Sequence, residues 1–421
     1  MSIVEGTGPG GAAENSDAAG VPGFPIRRTL PGVLPAEYEQ DRDRGVGRVR
    51  FPTGRLAWII ISHEYARQVL ADPRFSGDKL RPDFPRLSPN GLDKLKYFAP
   101  FLVNLDGAEH AQARKAVTGE FSTGRVAALR PRIQQAVDSV VDDLLELTTR
   151  PVDLVAALSY PTAWRLQELL LGIPVPELAQ VRQNTEDLLL RTGNAQEEVA
   201  AAAKLHAHLE GVLAWKEDHL GDDLVSHEIL RRREQHGTVD RYELASLVQL
   251  LTVGGYNTVA TMISLGVLAF LTHGEEREAV LREPSRMAFA VDEILRFYSV
   301  NDATPLRVAL EDVQVGDTLI RAGDSVAVPT LPANRDPGLC PHPHRLDLLR
   351  ESRTRHIAFG HGPHRCLGYN LAPVQLEVTY STLFARIPDL ALAVDEADLA
   401  YKYHSPQAFG PVELPVTWRA A

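Results

Sequence analysis

Phe359-Gly-His-Gly-Pro-His-Arg-Cys366-Leu-Gly368 sets one of the chain's two cysteines in a glycine-punctuated loop, just ahead of an apolar stretch that opens at Leu371. Gly360 and Gly362 let the backbone turn tightly and come close to something large and flat. A cysteine where a helix begins sits among free peptide N–H groups and the positive end of the helix dipole, which favour a thiolate over a thiol. Such a thiolate can attack a substrate or bind a metal. Two plainer readings compete: a buried free cysteine at a turn, and a zinc site built from His361, His364 and Cys366. The zinc site lacks the paired C-x-x-C or H-x-x-x-H spacing that places ligands on one tetrahedron.

The chain has 421 residues, 44% of them hydrophobic, enough to bury a large core. Length alone would allow two or three domains. Residues 1–22, rich in Gly, Ala, Ser and acid, read as a disordered leader, and no later shift in composition divides residues 23–421. The leader has no cationic segment followed by an apolar one, so it is not a secretory signal. Two cysteines, Cys340 and Cys366, give no disulfide framework and fit a reducing cytoplasm. A net charge of −11 argues against nucleic acid as the main partner. The uncharged run Leu244–Leu271 is interrupted by Gln249, Gly254, Gly255, Asn257 and Thr258. It reads as the buried core helix of a soluble protein, with no membrane partner.

Along the chain, Pro35–Asp43 predicts a short helix, and Arg48–Phe51 with Leu56–Ile61 predict a β-hairpin. His63–Leu70 predicts a helix, and Gly77–Pro100 a long loop of the functional kind. Three- and four-residue apolar spacing predicts helices within Ala108–Leu147, Ser159–His236, Leu244–His273 and Met287–Tyr298. Short strands follow at Arg307–Leu310, Thr318–Ile320 and Ser325–Pro329. After the meandering Pro332–Phe359 comes the cysteine helix, to about Ile387, and a strand-like tail at Val412–Trp418. The expected fold is mostly α with a minor β-sheet region.

Every fixed position of F-G-x-G-x-x-x-C-x-G is present in the cysteine loop, which resembles the haem-ligand loop of the cytochrome P450 family. In that family a cysteine sulfur binds haem iron and pushes electron density toward O–O cleavage. The likeness runs from about residue 25 to the C-terminus. It implies the cytochrome P450 fold in one domain, a haem b with Cys366 as axial ligand, and Phe359 and Gly368 in the cofactor loop.

Three further motifs match the family. Glu293-Ile-Leu-Arg296 places a carboxylate and a guanidinium on one helix face, and its apolar flanks suggest a buried structural pair. It looks like the E-x-x-R motif, which locks onto the meander at Asn334–Pro337 and Pro341–Arg345. His110 and Arg114, four apart after Asp106-Gly107, face the same way. They match the H-x-x-x-R contacts to the haem propionates, and Arg307 and His364 match the other two. Gly254-Gly-Tyr-Asn-Thr258 resembles the oxygen-activation segment A/G-G-x-D/E-T. Its paired glycines cost a helix about 1–2 kcal/mol together, which points to a kink or a close ligand.

Thr258 holds the hydroxyl position of that segment, but Asn257 replaces the acid. An amide neither gains nor loses a proton near neutral pH, so the usual relay is altered. Pro373, where the family often has arginine, should bend or delay the helix start. Arg365, with Arg353 and Arg355, suggests a docking face for an acidic redox protein.

The resemblance therefore implies a haem-thiolate monooxygenase that inserts one atom of O2 into a C–H or C=C bond of a small organic substrate. Its electrons would come from NAD(P)H through a ferredoxin reductase and a ferredoxin, and the enzyme would be a cytoplasmic monomer in secondary metabolism. Leu250, Val253, Gly254, Ala303 and Phe409 are expected to line the substrate pocket, with contributions from Pro82–Phe101 and Leu188–His206. Two alternatives remain. One is a haem-thiolate enzyme with peroxide, nitric oxide or C–C cleavage chemistry, which Asn257 keeps open. The other is a non-catalytic auxiliary protein, against which Cys366, Glu293, Arg296 and Thr258 all speak.

Overall fold

Twelve α-helices account for nearly half of what the computed structural model describes, which is residues 20–87, 102–189, 195–301, 303–351, 354–402 and 408–419. The expected leader lies outside the described residues up to position 19, as does the expected loop from 88 to 101. In chain order the helices are α1 (His63–Ala71), α2 (Gly107–Thr118), α3 (Thr123–Leu145), α4 (Tyr160–Leu171), α5 (Val175–Leu189), α6 (Ala195–Lys216), α7 (Leu224–His236), α8 (Arg241–Thr272), α9 (Gly274–Arg282), α10 (Met287–Tyr298), α11 (Thr330–Asn334) and α12 (Leu371–Arg386). The strands are β1 (Val46–Arg50), β2 (Leu56–Ile60), β3 (Phe75–Ser76), β4 (Val152–Asp153), β5 (Leu306–Ala309), β6 (Val313–Val315), β7 (Thr318–Ile320), β8 (Ser325–Ala327), β9 (Ala391–Leu392) and β10 (Pro415–Thr417).

Helix α8 organises the helical part. Asp240 caps it by accepting from Glu243 N at 3.0 Å. Its residues are buried from Leu244 to Gln249 and again from Ala260 to Phe270. Helices α4, α6 and α12 pack against it, and α12 also packs on α3. Among the described residues it is the one helix long and apolar enough to cross a membrane, but most of its apolar window is buried inside the protein. It is a core helix.

The main sheet runs β1-β2-β8-β5-β3. β1 and β2 form the expected hairpin, with Val49 opposite Ala57, and β2 runs parallel to β8. One apolar cluster, including Ile60, Leu70 and Val326, covers one side of the sheet, and another, including Phe24, Phe51 and Val308, covers the other. Strand β5 carries Arg307. The C-terminal strand pairs with both β4 and β9, which ties the tail to the middle of the chain.

Several boundaries differ from the sequence reading. Pro35–Asp43 gives only a 3-10 turn at Ala36–Tyr38, because a single buried residue, Tyr38, cannot offset the cost of nucleating a helix. The helical span from residue 108 breaks at Ser122, whose hydroxyl caps α3 by accepting from Arg125 N. Pro373 does not bend α12: it occupies the first turn, where its missing N–H has no partner to lose.

Candidate active site

The cysteine loop is pinned from both ends. Cys366 N donates to Phe359 O at 2.9 Å, and Gly360 N donates to Ile357 O at 2.8 Å. Gly362 has φ +71°, and a β-carbon there would run into the backbone of Leu70 and Ala71 at the end of α1. Only glycine lets the loop lie this close. As a residue Cys366 is exposed, but its sulfur is enclosed by the protein. Burial pushes the thiol up from its ordinary value, while the Gly368 N–H and the charges of Arg114 and Arg365 pull it down.

That balance corrects one expectation. The dipole of α12 begins only at Leu371, after a 3-10 turn at Leu367–Tyr369, so the Gly368 N–H does locally what the helix end was expected to do. Burial still wins, and a bound cation supplies what a stable thiolate needs here. Among the described residues no three His, Cys, Asp or Glu side chains gather as a metal site, so His361, His364 and Cys366 do not form the zinc alternative.

Beside the loop lies a cluster of hydrogen-bond donors. His110 and Arg114 come from α2, Arg307 from β5, and His364 from the cysteine loop; the rings of His110 and His364 are 4.1 Å apart. Among the described residues, His110 Nε2 and Arg307 Nη2 are buried without a hydrogen-bond partner. The His110 pKa is pulled down to about 4, by burial first and then by His364 and Arg114. Arg307 falls to about 10, again by burial.

Sequence reading missed two members of this cluster. Asp106 accepts from His364 Nε2 at 3.2 Å, from Gly77 N at 3.1 Å and from the Ser76 hydroxyl. Burial alone would raise its pKa, but these hydrogen bonds hold it well below the usual carboxylate range. Asp106, His110 and Arg114 recur at four-residue steps, the signal that could have found it. Lys79 is the second: burial, and then the charge of Arg307, lower it to about 8. Buried donors with orphaned atoms are what the two carboxylates of a haem would satisfy. The residues present fit that cofactor.

The glycine pair of α8 divides its work. A β-carbon on Gly255 would collide with the Gln167 amide of α4, so this glycine permits close helix packing. Gly254 meets nothing within 4 Å and faces open space. Leu250, Val253, Gly254, Asn257 and Thr258 share one face and are the partly accessible stretch of a helix buried on either side. Thr258 Oγ1 donates to Gly254 O at 2.7 Å. Asn257 Oδ1 accepts from the Tyr160 hydroxyl at 3.3 Å. Two other expected pocket residues are not on an accessible surface: Ala303 is fully buried, and Phe409 is packed against Tyr401 and Arg28.

Beneath the loop, Glu293 and Arg296 form a bidentate pair with both contacts at 2.7 Å, and both side chains are fully buried. Arg296 also donates to Asn334 O, Pro343 O and Arg345 O, and Glu293 accepts from Asp347 N and from Arg350. Asn334 in turn accepts from Ile357 N at 2.7 Å, just before the cysteine loop. The pair thus holds the meander, and the meander holds the loop. Arg350 gave no motif in the sequence. On this side, Arg67, Arg355, His361, Arg365, Asp292 and Glu377 are among the residues lining an open depression of about 430 Å³. Arg353 lies outside the described residues.

Known proteins share this architecture. A family model described as cytochrome P450 matches residues 51–387. Over 396 residues the chain is 37% identical to pentalenic acid synthase of Streptomyces avermitilis, covering 94% of this chain and 97% of that protein. The crystal structure of cytochrome P450 MoxA from Nonomuraea recticatena superposes with a TM-score of 0.87 at 43% identity, across 94% of this chain and 98% of that one. The mycinamicin VIII C21 methyl hydroxylase MycCI from Micromonospora griseorubida, solved with mycinamicin VIII bound, gives 0.87 at 33% identity, across 94% and 100%.

Proposed function

The chain belongs to the cytochrome P450 family and is a haem-thiolate monooxygenase; from that premise we propose that it oxidises a C–H or C=C bond of a polyketide-, peptide- or terpenoid-sized secondary metabolite. The observation that carries this reading is the accessible strip Leu250–Val253–Gly254 on α8, apolar and leading to Thr258 on an otherwise buried helix. Apolar walls with few polar groups orient a hydrophobic ligand and keep water out. Relatives named a pentalenic acid synthase and a mycinamicin VIII methyl hydroxylase support a ligand of this size.

Cys366 would hold the haem iron through its sulfur, and the bound haem would supply the redox chemistry of O2 activation. The protein's residues do the rest. Arg114 and Arg307 would neutralise the cofactor's carboxylates, His110 and His364 would donate hydrogen bonds to them, and Lys79 adds a donor at the same edge. Glu293 and Arg296 keep the cysteine loop rigid through the meander. Thr258 and Asn257 place a hydroxyl and an amide on the accessible face of α8, where protons must arrive. Electrons come from NAD(P)H through a reductase and a ferredoxin that docks near Arg365. The test is a ligand screen read by the haem spectrum, followed by turnover of hits with ferredoxin and reductase. Oxygenated product from a hydrophobic ligand of this size supports the proposal, and none from any spectral ligand overturns it.

A second reading rests on Asn257, which leaves the threonine without a neighbouring acid. It predicts oxidation supported by peroxide alone. Turnover that requires the reductase and ferredoxin, and fails with peroxide, removes it.

A further inference from the structure

The amide at position 257 is not isolated. Lys402 Nζ donates to the Tyr160 hydroxyl at 2.6 Å, and that hydroxyl donates to Asn257 Oδ1 at 3.3 Å. The three residues come from a C-terminal loop, the start of α4 and the middle of α8. Each is held in place. Lys402 N donates to Gly410 O at 2.9 Å, and Gly410 lies so close to Thr261 of α8 that a β-carbon there would collide. Tyr160 follows a π-helical turn at Val155–Ser159, a form of backbone common at functional sites. Its ring lies 5.1 Å from Tyr256, whose own hydroxyl is turned away to Glu186.

Donor counting gives this chain a direction. An ammonium only donates, so Tyr160 Oη must accept from Lys402. The single phenolic proton is then free for Asn257, which must present its carbonyl oxygen. The other end of the amide, Nδ2, has no partner among the described residues, and Asn257 is only half-buried. On the same face Thr258 directs its proton to Gly254 O, leaving its oxygen as an acceptor.

We propose that Lys402 and Tyr160 are positioning residues that fix the polarity of Asn257, so that an amide donor, and no carboxylate, faces the cavity beside the Thr258 acceptor. A water there accepts from Asn257 and donates to Thr258. The lysine ammonium, 242 positions from Tyr160 in sequence, thereby sets which way hydrogen bonds point where oxygen is activated. This rests on the oxygen-site reading of Thr258 and Asn257 given above.

The test uses the holoenzyme with carbon monoxide as probe. A hydrogen-bond donor in the cavity lowers the C–O stretching frequency, and an amide free to flip gives two bands. Wild type should show one narrow band. Tyr160→Phe and Lys402→Met should each split the band or move it to higher frequency, and Asn257→Asp, which puts an acceptor in place of the donor, should move it further the same way. With ferredoxin and reductase, both should also raise peroxide released per NAD(P)H by about two- to tenfold, the range set by one lost hydrogen bond.

Unchanged bands in Tyr160→Phe and Lys402→Met overturn the proposal, whether or not Asn257→Asp moves the band. Thr258→Ala separates the two levels. If it raises peroxide release while Tyr160→Phe does not, the oxygen site stands and the polar chain falls. If Thr258→Ala has no effect, the reading of the site itself fails. Should Tyr160→Phe not fold, Lys402→Met, at the far end of the chain, tests the same link.

Discussion

Cys366 and the two glycines of α8 show how much rests on single positions. Cys366 lies beside a glycine N–H and two arginines, yet burial still disfavours the free thiolate. If Cys366 holds the haem iron, the reduced protein with carbon monoxide should show the red-shifted Soret band of a thiolate-bound haem. Cys366→Ser should abolish that band even where haem is retained; persistence of the band would hand the ligand role to Cys340. Gly254 and Gly255 are neighbours with opposite expectations. Gly255→Ala forces a β-carbon into the Gln167 amide and should destabilise the protein by about 1–3 kcal/mol, as overpacking does. Gly254→Ala meets open space, so helix propensity should add up to about 1 kcal/mol, while the methyl narrows the cavity and weakens binding of bulky ligands. Thermal melts and spectral titrations of both variants read the contrast. The glycine pair was visible in the sequence; which glycine packs and which faces a ligand was not, because that depends on where α4 crosses.

At the scale of elements, α10 is the part that the meander hangs on. Its Glu293 and Arg296 hold Asn334 O, Pro343 O, Arg345 O, Asp347 N and Arg350 with no exposure to solvent. Glu293→Ala would strand two guanidinium groups, at a cost of about 3–5 kcal/mol for a broken buried pair. Haem incorporation should fail, as measured by absorbance per chain, and normal haem content would show that the pair is dispensable. The pair was legible as a three-residue spacing with apolar flanks, but Arg350 was not, since no local pattern marks an arginine that folds back from a loop. Helix α1 makes a second such joint: His63 Nε2 contacts Arg355 O at 2.8 Å, and His63 N donates to Asp336 at 2.7 Å. Burial, opposed by the Arg355 hydrogen bond, lowers the His63 pKa below its ordinary 6.5. A base whose folded pKa is depressed contributes stability above its unfolded pKa and loses it as pH falls toward the folded one. His63→Gln, which keeps a donor without titrating, should flatten the loss of stability below about pH 6.5 in melts taken across that range.

Across the whole molecule, the fold was readable because its deciding motifs are local: a ten-residue loop, a three-residue pair, a four-residue pair and one long apolar helix. What the sequence could not carry were contacts between distant segments, such as Lys402 with Tyr160 or Asp106 with His364, and the burial of Phe409 and Ala303 away from any accessible face. Charge distribution is another global property. The chain carries −11 overall, so an acidic electron carrier meets net repulsion at long range. Productive docking then needs a local positive face, and Arg67, Arg355 and Arg365 border one depression in which only Asp292 and Glu377 oppose them. Arg365 is exposed and braced, its guanidinium 3.8 Å from the centre of the Tyr369 ring. A charge at an interface rim acts mostly on association rate, and salt screens it beyond about 10 Å at 0.1 M. Arg365→Glu should therefore slow reduction by ferredoxin and reverse part of its dependence on ionic strength, while ligand affinity and the carbon monoxide spectrum stay unchanged. Stopped-flow reduction across a salt series measures this. A rate that ignores both the substitution and the salt would mean that electrons enter by a different face.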